Sequence, residues 1–187
     1  SVLHLGILNS ARSWNFFEVS KGVDTFINTG GYGIDGCVSA LLGASLASPD
    51  RLHFGIVGDL AFFYDMNALG NRHVGSNLRL MIINNGCGAE FQLYNHPYTK
   101  GGFTDLVGPY LAAAGHFGKC SRQLVRHYAE DLGFVYLSAE NKKEYLVQLV
   151  RFLESGLTEK PILFEVFTDP AEESAALKTL RNLPVSW

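Results

Sequence analysis

"LHFGIVGDLAFFYDMNALGNRHVGSNLRLMIINNG", residues 52–86, places two apolar runs of strand length on either side of a helix-like segment. The first run, 52–57, leads into Gly58-Asp59, and the second, 78–83, into Asn84-Asn85-Gly86. Continuous rather than alternating hydrophobicity predicts strands covered on both faces, the mark of a parallel sheet joined by crossover helices. The same alternation repeats outward along the chain. Strands are predicted at 2–8, 24–28, 134–138 and 161–167, and helices at 33–47, 61–73, 104–114, 121–132, 141–154 and 170–181. Helix 141–154 is the clearest: Asn141 can cap it, Glu144 follows three residues on, and Tyr145, Leu146, Leu149, Val150 and Leu153 make one stripe. The expected fold is α/β, a doubly wound, mostly parallel six-stranded sheet with helices on both faces. Between Asn85 and Thr104 lies a long stretch of little regular pattern, a length of loop that is usually functional or mobile.

A chain of 187 residues suits one domain, here expected to span 1–187. Only 18% of its residues are charged and 47% are hydrophobic, against roughly 25% charged in an ordinary soluble domain. Part of the folded surface is therefore expected to be apolar and covered by another subunit or domain. The net charge of -3 is spread without blocks of one sign, which makes no case for nucleic acid or a membrane surface as partner. No run approaches the length of a membrane span and no leader pattern opens the chain, so a cytoplasmic protein is expected. Cys37, Cys87 and Cys120 form no CxxC pair, and their number and spacing indicate neither a disulfide framework nor a zinc site. The chain opens Ser1-Val2-Leu3, without methionine, and runs straight into a strand; it reads as a piece of something longer.

In open parallel sheets, ligands bind beyond the carboxyl ends of the strands. Four polar turns fall there: "LNS" at 8–10, "NTGG" at 28–31, "VGDL" at 57–60 and "INNGCG" at 83–88. Asp59 and the pair Asn84-Asn85 offer a carboxylate, amide oxygens and loop carbonyls, an all-oxygen set suited to a hard cation such as Mg²⁺. The turns also carry backbone N–H groups suited to an anion. A phosphate about 4 Å from a bare carboxylate is repelled by about 4 kcal/mol at an effective dielectric of 20, so a cation belongs between them. A plainer reading leaves Asp59 as a helix cap and the asparagines as turn residues. A third possibility rests on Gly31-x-Gly33-x-x-Gly36, which spells a dinucleotide-binding turn, with Asp59 standing 23 residues beyond Gly36. A nicotinamide-dependent oxidoreductase domain is thus the alternative. It leaves the asparagine pair without a role, and the fingerprint follows the second strand rather than the first.

Gly58-Asp59, followed 26 positions later by Asn85 through a helix and an apolar strand, resembles the GDx…NN metal-diphosphate motif of thiamine diphosphate enzymes. More closely, "NTGGYGIDG", "IVGDLAFFYDMNAL", "NNGCGAEF" and "ILFEVFTDPAEESAALKTL" look like the carboxyl-terminal, diphosphate-binding domain of the 2-succinyl-5-enolpyruvyl-6-hydroxy-3-cyclohexene-1-carboxylate synthase family of menaquinone biosynthesis, from about Leu5 to Leu180. The resemblance implies thiamine diphosphate and Mg²⁺ as cofactors. It implies Asp59, the side chain of Asn85 and the carbonyl of Cys87 as metal ligands, with Asn9, Ser10, Gly58 and Leu60 at the diphosphate. Ile34 matches the apolar wedge that bends the cofactor, Gly31 and Gly33 leave room for its pyrimidine ring, and Phe91 matches a wall of the site. It further implies a 2-oxo acid and an acceptor as substrates, a separate amino-terminal pyrimidine-binding domain that supplies the activating glutamate, and a homodimer or homotetramer. The isolated chain is then expected to be inactive.

Several positions depart from that family. Trp14 and Thr29 stand where it carries arginines for carboxylate-rich substrates, so an altered substrate is expected instead of isochorismate with 2-oxoglutarate. Arg12 is two residues earlier and, on a helical turn, is expected to point elsewhere. Glu90 replaces an apolar residue and is the candidate proton donor or acceptor, its plainer reading being a solvated loop acid. The step from Asp59 to Asn85 is one residue shorter than in the family. Among the six histidines only His96, in the long loop beside Tyr94 and Tyr98, is a candidate substrate contact.

Overall fold

Six strands, β1 (Val2–Leu5), β2 (Asp24–Ile27), β3 (His53–Gly58), β4 (Leu78–Asn84), β5 (Val135–Ala139) and β6 (Ile162–Phe167), form one sheet of order β2-β1-β3-β4-β6-β5. Every neighbouring pair is parallel. A computed structural model describes residues 1–29, 33–111 and 121–183. Its helices are α1 (Asn9–Trp14), α2 (Cys37–Ala47), α3 (Asp59–Asp65), α4 (Pro97–Lys100), α5 (Val107–Leu111), α6 (Leu124–Asp131), α7 (Lys142–Phe152) and α8 (Pro170–Arg181).

Strand alternation sorts the core into two layers. On β4, Leu78, Leu80 and Ile82 point into a cluster with Val38, Leu41 and Leu42 of α2, Phe62 of α3 and Val125 of α6. Met81 and Ile83 point the other way, toward Phe152 of α7 and Trp14 of α1. Burial on both faces is why β4 reads as an unbroken apolar run. β3 brings α2 close at Gly55, where an added Cβ would lie 2.4 Å from Leu41 Cδ2. No helix among the described residues is long and apolar enough to cross a membrane.

The predicted elements all occur, with corrected edges. β1 stops at Leu5 instead of residue 8, and "LNS" opens a short helix, α1, after Leu8 takes the left-handed φ of 67°. α2 begins at Cys37 rather than 33, because Gly36 at φ 81° cannot continue a helix backward. Ile34 therefore lies before the helix. α3 starts two residues early, at Asp59, and gives way at Met66–Gly70 to a 3₁₀ turn. The long stretch after Asn85 contains a 3₁₀ turn, Ala89–Gln92, and α4. The helix predicted at 104–114 is a 3₁₀ turn, Thr104–Leu106, followed by α5; its last residues lie outside those described.

Asn141 caps α7 by accepting from the Glu144 N–H at 3.0 Å, as the sequence indicates. Its predicted stripe splits. Tyr145, Leu149 and Phe152 pack on the sheet, whereas Leu146, Val150 and Leu153, one step round the helix, are exposed. With exposed Phe16, Phe17, Phe26 and Ile27, these residues make up the apolar surface anticipated from composition.

Candidate functional site

The register aligns Leu5 with Ile56, Gly58 with Ile83 and Asn84 with Phe167, which brings the carboxyl ends of β1, β3, β4 and β6 to one edge. β2 and β3 lie on opposite sides of β1, so the connections after β1 and β3 diverge at a topological switch point. Asn9, Asp59, Asn85 and Thr168 all follow strands at this edge.

Asp59 is the first residue of α3 and only 1% exposed. Its Oδ1 accepts from the Leu60 N–H at 2.8 Å and its Oδ2 from the Gly86 N–H at 2.6 Å. The second bond ties the end of β3 to the turn after β4. Burial pushes the carboxyl up to about 7, although both N–H groups favour its charged form.

Two further carboxylates face the asparagine pair. Asn84 Nδ2 donates to Glu165 Oε1 at 2.5 Å, and Tyr136 Oη donates to Glu165 Oε2 at 2.7 Å. Asn85 Nδ2 donates to both oxygens of Glu173 at 3.1 Å, and Thr168 Oγ1 donates to Glu173 Oε1 at 2.5 Å. With both nitrogens so engaged, Asn84 Oδ1 accepts from the Gly86 N–H and Asn85 Oδ1 from the Cys87 N–H, each at 3.2 Å. Burial pushes both the Glu165 carboxyl and the Tyr136 hydroxyl up. The Cys87 carbonyl accepts from the Ala89 N–H at 3.0 Å.

Around this centre the other candidates fall as follows. Leu60 and Phe91 flank Gly88, their carbons 3.4 and 3.2 Å from where its Cβ would stand. Asn9, beside Ser10 at the start of α1, has both side-chain polar atoms buried without a hydrogen-bond partner among the described residues. Ile34 is half-buried against the core near α2. It follows Gly33, and Asn28 Nδ2 pins this turn by donating to the Asp35 carbonyl at 3.1 Å. Gly31 lies outside the described residues, as do Cys120 and His116.

Arg12 corrects the expectation that it points away. It donates from Nη1 to Glu90 Oε2 in an ion pair, and the bond to Glu90 holds the guanidinium more firmly protonated. Glu90 is accordingly no solvated loop acid: its side chain is 16% exposed. The pair lines a cavity of about 240 Å³ with Asn95, His96, Pro97 and Arg181. His96 caps α4 by accepting at Nδ1 from the Tyr98 N–H at 3.2 Å, and its ring stands edge-on to Phe91 at 5.2 Å.

The donor set of carboxylate, amide oxygen and carbonyl fits a hard cation. Buried Asp59, and Asn9 with no side-chain partner among the described residues, are the observations that fit a cation with an anionic group beside it. No three His, Cys, Asp or Glu side chains converge as a metal cluster among the described residues, a different kind of site from this one.

Comparison with known proteins shows what the chain is similar to. No family model matches the chain. It is 32% identical over 178 residues to the 2-succinyl-5-enolpyruvyl-6-hydroxy-3-cyclohexene-1-carboxylate synthase of Bacteroides fragilis, a match covering 94% of this chain and 30% of that protein. The chain is a relative of one part of these synthases. The synthase of the same name from Bacteroides thetaiotaomicron is 33% identical over 179 residues, again 94% of this chain and 30% of that protein. That of Christiangramia forsetii is 34% identical over 169 residues, 90% of this chain and 27% of its own length. The chain thus spans about a third of the length of the curated relatives it matches.

Sequence reasoning did not find Glu165 and Glu173. Glu165 carried a signal, being a charge inside the apolar run "ILFEVF". Glu173 carried none, since an acid in the first turn of a helix reads as a dipole partner.

Proposed function

We propose that this chain holds the magnesium-diphosphate end of thiamine diphosphate within a larger 2-oxo acid decarboxylase or carboligase. One observation carries the reading: buried Asp59 is bonded to the turn that follows Asn84-Asn85, at the same sheet edge as Asn9, whose polar atoms have no partner among the described residues. On this reading Asp59, Asn85 Oδ1 and the Cys87 carbonyl would hold Mg²⁺. Asn9, Ser10 and the backbone of Gly58 and Leu60 would face the diphosphate, while Ile34, Gly31 and Gly33 would border the rings and Phe91 the reacting end. When bound, the cofactor supplies a carbon nucleophile and an electron sink. The chain's own residues anchor it, shield it from water and orient it.

Arg12 and Glu90 belong to the substrate side of the same edge, where Glu90 would give or take a proton and Arg12 would hold it in place. The substrates would be a 2-oxo acid and an acceptor other than the pair used by the resembled family, because Trp14 packs into the core and Thr29 replaces a charged residue. The activating glutamate would come from a pyrimidine-binding domain of the same or a partner chain, in a dimer or tetramer, and the isolated chain would be inactive. The exposed apolar residues of α7 and β2 agree with such neighbours.

The nicotinamide reading is the weaker one. Its glycine fingerprint follows β2, the edge strand, whereas a dinucleotide turn follows the strand at the switch point. Calorimetry on the full-length protein separates the two: binding of thiamine diphosphate only when Mg²⁺ is present, and no binding of NAD, is the expected result. Binding of NAD without response to thiamine diphosphate would overturn the proposal.

A further inference from the structure

Asn84, the last residue of β4, and Asn85, which follows it, each donate an amide N–H to a glutamate. A carboxylate has no hydrogen to donate at neutral pH, so its neighbour must supply one. Glu173, on α8, receives Asn85 Nδ2 on both of its oxygens at 3.1 Å, and the Thr168 hydroxyl on Oε1 at 2.5 Å. That arrangement leaves Asn85 one orientation, with Oδ1 turned toward the Cys87 N–H, in the turn whose Gly86 N–H donates to Asp59. An amide free to rotate by half a turn would present nitrogen and hydrogen, which no cation accepts as ligands.

Resting on the magnesium-diphosphate reading above, we infer that Glu173 is a positioning residue: it fixes the amide of Asn85 so that oxygen faces the metal, and it makes asparagine the required residue at position 85. Glu173 acts here through Asn85, whose Nδ2 it receives on both oxygens while the Thr168 hydroxyl donates to Oε1. The inference runs against simple charge reasoning. Aspartate at position 85 would carry a full negative charge and, taken alone, should hold Mg²⁺ more tightly. Against Glu173 it would set two carboxylates about 3 Å apart, where both cannot remain ionised at little cost.

The test uses the full-length protein, with calorimetric affinity for thiamine diphosphate plus Mg²⁺ as the readout and thermal unfolding alongside. Asn85→Asp is expected to bind at least about tenfold more weakly than the native protein. Adding Glu173→Gln, whose amide can donate to the new carboxylate, is expected to restore binding to within about threefold. Glu173→Leu alone, which offers Asn85 Nδ2 no acceptor, is expected to bind at least about tenfold more weakly than native. A double variant that binds no better than Asn85→Asp alone, or an Asn85→Asp variant that binds as tightly as native, would overturn the inference. Asp59→Ala, measured in parallel, keeps the two levels apart. Weak binding there beside native-like Asn85→Asp removes only the role of Glu173, whereas native-like binding by Asp59→Ala removes the magnesium-diphosphate reading and this inference with it.

Discussion

The Gly86 N–H donates to Asp59 Oδ2 at 2.6 Å, joining the turn after β4 to the first residue of α3 across two parallel strands. The same N–H lies 3.2 Å from Asn84 Oδ1. Asp59 and Asn85 are 26 positions apart in the chain and share one turn in space. Through Asn84 the turn is tied on to Glu165 and Tyr136 on β6 and β5, so the geometry of the site depends on polar groups deep in the sheet.

Tyr136→Phe should therefore cost stability out of proportion to one hydroxyl. It leaves Glu165 Oε2, in a residue with no exposed surface, without its donor. A loss of about 1–3 kcal/mol is expected from urea unfolding. Glu165→Gln, which keeps an acceptor for Asn84 and a donor for the Tyr136 oxygen, should cost less. Equal losses would show that the carboxylate's second bond is immaterial.

Gly55 is fixed by packing. A methyl group there would meet Leu41 Cδ2 at 2.4 Å and Leu80 Cδ1 at 3.3 Å, so Gly55→Ala should destabilise by about 1–3 kcal/mol through overpacking between β3 and α2. Combining it with Leu41→Ala should cost less than the sum of the two single changes, measured as unfolding free energies in a double-mutant cycle. Strict additivity would remove the steric explanation.

His4 and His53 set an acid limit on stability. Their rings lie 5.8 Å apart on β1 and β3, and His4 Nε2 and His53 Nδ1 are buried without partners. Burial lowers both, with His53 adding to the effect on His4, while at His53 the Ser48 carbonyl partly opposes the shift and Arg51 adds to it. A base whose folded value is depressed binds fewer protons folded than unfolded. Its contribution is present above the ordinary value of 6.5 and is lost as pH falls below it. His4→Phe keeps the stack on Phe26 and should move the acid limb of a stability-pH curve to lower pH. An unmoved limb would mean that other groups set it.

Glu90→Gln in the full-length protein should lower kcat about 100-fold if its proton is used, with thiamine diphosphate affinity unchanged. An unaltered rate would leave Glu90 as the structural partner of Arg12 and nothing more.

The sheet was legible because strands buried on both faces spell unbroken apolar runs: 78–83 and 161–167 were each placed to within one residue. Edges blurred wherever polar chemistry took over. "NSARSW" reads as a turn because its few apolar residues cannot signal a helix of six, and α1 is visible only once β3 lies under it. The direction of Arg12 was missed for the same reason, since its partner Glu90 is 78 residues away. Asp59 and Asn85 were readable from position, both following strands at one sheet edge. Glu165 could have been read as the one charge in its strand, but Glu173 becomes meaningful only when α8 sets it beside Asn85.

Affinity of the full-length protein for thiamine diphosphate as a function of Mg²⁺, compared between the native chain and Asp59→Asn, decides whether Asp59 grips the cofactor through a cation. The native protein should bind only with Mg²⁺ present, and the variant, which keeps the size of the side chain but not its charge, should lose about 100-fold or more in affinity. Equal binding by both, or native binding indifferent to Mg²⁺, would contradict the assignment.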